Sequence, residues 1–276
     1  VEETAEAFAR GDFSARLPEA RNDTEVGRLT SALNQMLSRI EESFAARVAS
    51  EDRLRRFVAD ASHELRTPLT AIRGFAELHR QGAIKGEEKT AELVRRIEQE
   101  SIRMSTLVED LLLLARLDQS REMEKDPVDL NTLVKEAVAS AQAAGPNHPI
   151  SLSLPMEDLF VLGDSHRIHQ VIANLLANAR THTPEGTPIA IALSHSGSEI
   201  TIAVSDQGPG LTKEDQERIF ERFYRVDPGR ARQTGGTGLG LSIVRHVAQN
   251  HGGTVLVDSR EGEGSTFTLA LPVTPS

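Results

Sequence analysis

The sequence predicts a chain of several domains, in which a long α-helical hairpin is followed by an α/β sandwich. Three observations predict it. Apolar residues recur at helical spacing from Val26 to Ile40, from Leu54 to Ala76 and again from Leu93 to Leu114, the pattern of one helix face. Near residue 119 the character changes, because "QSREMEKDPVD" is polar, carries Pro127 and reads as a linker. Beyond it, segments of helical period mix with segments of period two, the pattern of a sheet covered by helices. The 276 residues are enough for two domains and a real core.

The elements follow in order. "ARGDFSARLPEARND" carries Gly11 and Pro18 and few helix signals, so it reads as a connector after a helix end. Val26, Leu29, Leu33, Met36, Leu37 and Ile40 then resume helical spacing, with Asp23 or Thr24 as N-cap. Residues 47–79 extend this helix, and "RQGAIKGEE", with Gly82 and Gly86, turns the chain. Leu93, Ile97, Met104, Leu107, Leu111 and Leu114 give a second long amphipathic helix. Two helices alone cannot hide both apolar seams. Pairing with a second hairpin does, which predicts a dimeric four-helix bundle and hence a homodimer. In the sandwich, "NTLVKEAVASAQ", "DSHRIHQVIANLLANART", "TKEDQERIF" and "GLSIVRHVAQNHG" suit helices. "HPISLSL", "DLFVLGD", "TPIAIALSH", "EITIAVSD", "GTVLVDS" and "STFTLALP" suit strands.

Composition narrows the function. A net charge of −10 argues against a broad nucleic-acid footprint, so no nucleic acid is expected as partner. The absence of cysteine excludes disulfides and thiolate chemistry. The longest strongly apolar run, Leu111 to Ala115, is far too short to span a bilayer. The chain begins at Val1 inside a helical pattern and reads as part of something longer.

The first helix carries one residue that its packing does not explain. Leu54, Val58, Ala61, Leu65, Leu69, Ile72 and Ala76 form the apolar seam. His63 lies two residues from both Ala61 and Leu65, about 200° round the helix. It therefore faces away from the seam, sharing its face with Asp60 and Thr67, with Glu64 adjacent. Pro68 lacks an N–H, which frees the carbonyl of Glu64 and bends or loosens the helix just beyond the histidine. Alone, this is also how a solvated helix face with a tolerated kink would look.

Three further signals lie in the sandwich. In "DQGPG", Asp206 ends a strand and is followed by Gly208 and Gly210, so a carboxylate stands where a flat ligand can approach the backbone. An ordinary turn has the same appearance. In "GGTGLGLSIV", Gly236, Gly238 and Gly240 open a helix whose free N–H groups favour phosphates. The spacing is neither that of a dinucleotide fold nor that of a P-loop, and a ligand-free loop fits it as well. Asn174 and Asn178 share a helix face and offer amide oxygens suited to Mg²⁺, although two buried, satisfied amides would read the same way.

Taken in this order, with "IFERFYR" between the last two glycine-bearing segments, these signals resemble the boxes of the histidine-kinase ATP-binding domain. That domain is of the Bergerat type shared with gyrase and Hsp90. "SHELRTPL" resembles the box of the dimerisation and phosphoacceptor domain that bears the reactive histidine. The first 46 residues resemble the back half of a HAMP linker, with "TEVGRL" standing where that family has an acidic-x-Gly signature. The resemblance implies a partial HAMP linker over 1–46, a dimerisation and histidine phosphotransfer domain over 47–120, and a catalytic ATP-binding domain over 121–276. It implies the cytoplasmic portion of a bacterial inner-membrane sensor, tied to the membrane only through segments outside this sequence. It also implies ATP and Mg²⁺ as cofactors, a response regulator receiver domain as partner, and phosphoryl transfer from His63 to an aspartate of that regulator.

Residue by residue, the resemblance implies the following roles. His63 is the phosphorylated nucleophile, and Glu64 holds the ring N–H and draws off the proton. Asp206 reads the adenine amino group, with Gly208 and Gly210 making room. Asn178, supported by Asn174, binds Mg²⁺ on the triphosphate. Phe220, Phe223 and Tyr224 anchor a lid, and Arg225 reaches the terminal phosphates. Gly236, Thr237, Gly238, Leu239 and Gly240 cradle the phosphates. Thr67, in an acidic-x-x-Thr arrangement with Glu64, is linked in that family to dephosphorylation of the regulator. One departure stands out. Where the family commonly has a lysine after Asn178, "NARTHT" has Thr181 followed by His182, and Arg180 is one residue out of place. Two rival readings remain at this stage: an ATPase of the same fold without a phosphohistidine, and a dimeric signalling coil with an inert nucleotide domain.

Overall fold

The computed structural model describes residues 4, 6, 9, 10, 12–18, 24–118, 126–226 and 236–273. The chain forms two compact units, residues 1–64 and 65–276. Helix α1, Glu25–Arg80, is a 56-residue element that runs through both. The Thr24 hydroxyl caps its start by accepting the Gly27 N–H at 3.0 Å. Asp23, the other cap candidate, lies outside the described residues.

In the first unit the connector lies along α1 and is held by polar clamps. The Asn34 amide donates to the Leu17 carbonyl at 3.0 Å and accepts the Leu17 N–H at 2.8 Å, which leaves Leu17 buried. Arg16 bonds the Phe13 and Ala15 carbonyls and pairs with Glu41, while the Phe13 ring tilts against Phe44 with centroids 4.5 Å apart. A segment with few helix signals is thus ordered by side chains of the helix that follows it.

The second unit opens with the last turns of α1. Pro68 does not end the helix, and beyond it Thr70 turns its hydroxyl back to the Arg66 carbonyl at 2.8 Å. At the helix end the Gly82 N–H meets the His79 carbonyl and the Ala83 N–H meets the Leu78 carbonyl, a Schellman arrangement. Helix α2, Glu87–Asp118, then begins with two acidic residues that suit the positive end of its dipole. It buries Leu93, Leu107, Leu114 and Leu117, while Val94, Ile102, Val108 and Leu112 stay exposed on another side. The first stripe lies on the predicted apolar face; the second does not. On α1 the predicted seam stands open, with Leu54, Val58 and Leu69 all more than half exposed.

Residues 119–125 of the expected linker lie outside the described residues. Its last four residues are not linker: Asp126–Asp129 form strand β1, paired antiparallel with β3, Phe160–Gly163. Three features account for the correction. Val128 is buried, Pro127 is tolerated at the edge of a two-stranded ribbon, and Asp129 caps the next helix by accepting from Asn131 and Thr132. Helix α3 is Leu130–Ala144, and β2 is Ile150–Ser153. Helix α4 is Ser165–His182, followed by β4, Ile189–Ser196, and β5, Glu199–Asp206. Then come α5, Lys213–Arg218, α6, Gly240–Asn250, β6, Thr254–Arg260, and β7, Gly264–Pro272.

The main sheet has the order β2-β4-β5-β7-β6, with β2 parallel to β4 and the other pairs antiparallel. Alternation puts Ile189, Ile191, Leu193, Ile200, Ile202, Val204, Phe267, Leu269 and Leu271 in the core. Helix α4 supplies Ile168, Val171, Ile172, Leu175 and Leu176 to that core, and α6 supplies Ile243, Val244 and Val247. Serines and threonines occupy intervening positions and bond across strands, as Ser205 does with Thr266 at 2.8 Å. The core therefore lies on one face of the sheet, as predicted. Buried His251 locks two helices together: its Nδ1 donates to the Val247 carbonyl at 2.8 Å and its Nε2 accepts the Asp164 N–H at 3.1 Å. Among the described residues no helix is long and apolar enough to cross a membrane.

Candidate nucleotide site and phosphoacceptor face

The end of β5 builds the first part of the site. Asp206 pairs with Ser265 of β7 and accepts the Gly208 N–H at 2.8 Å. Burial pushes its carboxyl up from the ordinary aspartate value, while the N–H groups of Gly208 and Ser265 and the nearby His182 pull it back. Behind it the backbone is packed to contact. A side chain at Gly210, whose φ is +71°, would place its Cβ 1.9 Å from the Arg260 carbonyl oxygen. A Cβ at Gly208 would meet the Asp206 carboxylate and the Thr183 methyl, each at 2.8 Å. This corner is a fixed acceptor beside bare backbone, the arrangement that a flat base with an exocyclic amine requires.

The second part is the start of α6. Asn174 on α4 donates to the Gly240 carbonyl at 3.3 Å, which ties the glycine segment to the helix bearing both asparagines. Asn178 is half-buried one turn further on. The Leu239 N–H at the helix start donates to the Thr237 hydroxyl at 3.3 Å, and the Ser242 hydroxyl bonds the Leu239 carbonyl at 2.7 Å. Leu239 itself is fully buried, so it fixes the segment from beneath. Gly236 to Gly240 are described; Gly235, the first glycine of the run, is not.

The aromatic segment is anchored at three points. Phe220 is buried, edge-on to Phe267 at 6.4 Å between centroids. The Phe223 N–H donates to the Gly238 carbonyl at 2.9 Å, and Phe223 holds a φ of +63°, a strained left-handed conformation for a residue with a side chain. The Tyr224 hydroxyl donates to Asp215 at 2.7 Å and its ring lies 4.5 Å beneath the Arg218 guanidinium. Arg225 follows directly, and residues 227–235 beyond it lie outside the described residues.

Arg180, one place from the missing lysine, points elsewhere. It donates to the Ala141 carbonyl at 3.0 Å, neutralising the negative end of α3, and its guanidinium closes over Gly145. It does not replace the lysine, and nothing in Thr181 supplies a positive charge. On α1, His63 and Thr67 are exposed and Glu64 is half-buried.

The fold and these boxes define a Bergerat-type ATP-binding domain preceded by a helical phosphoacceptor hairpin. Residues 163–275 match the histidine kinase-, DNA gyrase B-, and HSP90-like ATPase family, 53–120 the His Kinase A (phospho-acceptor) domain, and 1–42 the HAMP domain. The chain is 49% identical over 256 residues to TcrY of Mycobacterium tuberculosis, covering 93% of this chain and 54% of that protein. It is 40% identical to the sensor histidine kinase TrcS of the same organism, covering 91% of this chain and 50% of TrcS. Among solved structures, the histidine kinase ThkA in complex with the response regulator protein TrrA is similar with a TM-score of 0.68 and 28% identity, over 85% of this chain and 66% of that one. The chain belongs to the sensor histidine kinase family of two-component systems. It spans about half the length of the curated relatives named here.

Proposed function

We propose that this chain is the cytoplasmic kinase portion of a membrane-anchored sensor, which phosphorylates its own His63 from Mg·ATP and passes the phosphoryl group to an aspartate of a response regulator. The observation that carries it is the corner at Asp206, where a half-buried carboxylate is held beside backbone that admits no side chain at Gly210. The residues fit the nucleotide. Asp206 accepts from the adenine amine, and the amides at the start of α6 face the phosphates. Asn178 would offer Mg²⁺ a neutral amide oxygen, and Asn174 positions the glycine segment through Gly240. Phe220, Phe223 and Tyr224 anchor the segment that leads to Arg225, and Arg225 would reach the terminal phosphates.

On α1 the neutral His63 ring attacks the terminal phosphorus through one nitrogen. The bond from phosphorus to the bridging oxygen breaks and ADP leaves with that electron pair, while the proton on the other ring nitrogen passes to Glu64. A regulator aspartate then attacks the phosphorus, and the N–P electron pair returns to the ring. A second copy of the hairpin covers the open seam at Leu54, Val58 and Leu69, giving the homodimer. The HAMP match at the start of the chain supports an anchor in segments preceding it. Incubation with γ-labelled ATP and Mg²⁺ tests the reading: an acid-labile label is expected, and His63→Gln should abolish it while leaving ATP binding intact. A label that is acid-stable, or that survives the substitution, would overturn the assignment of His63 as the phosphorylated residue.

A further inference from the structure

The glycine segment is bonded to the hairpin as well as to its own domain. The Thr237 hydroxyl donates to the Asp110 carboxylate of α2 at 2.8 Å while accepting the Leu239 N–H at 3.3 Å. Thr237 is buried and Asp110 half-buried, and α2 packs along α6 in the same compact unit. Leu239 N–H, the Thr237 hydroxyl and the Asp110 carboxylate thus form a relay at the positive end of α6. A negative charge from the hairpin ends a chain of bonds that starts where a phosphate would otherwise be bound. Burial pushes the Asp110 carboxyl up, the hydrogen bond from Thr237 pulls it back, and adjacent Glu109 pushes it up again.

We propose that Asp110 and Thr237 form a latch through which the helical hairpin opposes nucleotide phosphates at the α6 N-terminus. Asp110 has this role only if the glycine segment binds nucleotide as proposed for the site. A triphosphate entering that segment meets a like charge in a partly desolvated setting, where screening by water is weak. Its binding therefore favours withdrawal of Asp110. By linkage, any movement of α2 that withdraws Asp110 raises the affinity for ATP by the same factor. The hairpin would then set nucleotide occupancy without touching the nucleotide.

The effect must depend on the number of phosphates, which separates it from a contact that merely holds the fold together. The test uses the full chain, with calorimetric titration of a non-hydrolysable ATP analogue with Mg²⁺, of ADP, and of adenosine. Asp110→Asn keeps an acceptor for Thr237 and removes the charge. It is expected to tighten the analogue by about fivefold or more, ADP by less, and adenosine not at all. Asp110→Ser, which also removes the charge from a smaller side chain, should give the same order if the asparagine variant folds poorly. Unchanged or weaker binding of the analogue overturns the latch, as does equal tightening of all three ligands. A parent chain that binds none of them overturns the nucleotide reading itself, and the latch with it.

Discussion

The phosphoacceptor helix and the nucleotide corner satisfy opposite demands. His63 stands exposed on a helix whose apolar seam is exposed at Leu54, Val58 and Leu69. Asp206 stands at the end of a central strand, with Gly264 packed against its backbone and the Arg260 carbonyl packed against Gly210 beyond it. A group that must meet both a nucleotide and a regulator has to remain accessible. A group that must recognise one base is better held by backbone that cannot give. Rigidity is placed where specificity is needed, and access where two partners take turns.

The sharpest way to break that comparison is to add one methyl group in each region. Gly210 and Gly82 both hold positive φ, +71° and +67°. At Gly82 a Cβ meets nothing within 4 Å, whereas at Gly210 it lands 1.9 Å from the Arg260 carbonyl oxygen. Gly82→Ala should therefore cost about 1 kcal/mol, the left-handed backbone term alone. Gly210→Ala adds displacement of the β6–β7 turn and should cost about 3 kcal/mol or more, with loss of ATP binding. Urea denaturation of the two variants measures the difference. Equal costs would show that the corner is as yielding as the hairpin turn.

The charge at Asp206 gives the next largest effect. Its folded pKa is raised above the unfolded value, so its ionisation opposes folding above the folded pKa. That penalty disappears as the pH falls through the folded value toward the unfolded one. Asp206→Asn carries no such charge and can still accept from Gly208. It should be more stable than the parent at neutral pH, and the gap should close on acidification. ATP affinity should move the other way, falling at least about tenfold, because the amide is a weaker acceptor for the adenine amine. Denaturation midpoints across the acid range, beside ATP titrations, check both signs. A variant with parental affinity would remove Asp206 from the site.

The two regions also differed in how far the sequence revealed them. Both long helices, the one-sided sandwich and the segments around Asp206 and Gly240 could be read directly, because each rests on local periodicity or on a run of special residues. Strand β1 could not. Four residues with Asp at both ends and Pro127 inside carry no period, and only pairing with Phe160–Gly163 makes them a strand. The second apolar stripe of α2 was hidden for a related reason, since serine, arginine and glutamate interrupt it at Arg95, Glu98, Ser101 and Ser105. The cap that Arg180 places on α3 and the bond from Thr237 to Asp110 join residues 39 and 127 positions apart. No pattern within a window reports contacts of that range. The strain at Phe223 likewise follows from its bond to Gly238 rather than from its own preference.

The smallest effect on labelling, and the most selective, belongs to Thr67. It lies one turn beyond His63 on the same helix face and is exposed as His63 is. A hydroxyl there can hold a water in line with an aspartyl phosphate without becoming a nucleophile itself. In the proposed mechanism it has no part in the attack of the imidazole on ATP, the step assigned there to His63 with Glu64. We therefore propose that Thr67 serves removal of phosphate from the regulator. Thr67→Ala should label at His63 as the parent does, while decay of the phosphorylated regulator slows by about tenfold, the scale of one lost positioning contact. Decay at the parental rate would assign regulator dephosphorylation to other residues. Loss of His63 labelling would show instead that Thr67 supports the phosphoacceptor helix rather than the water.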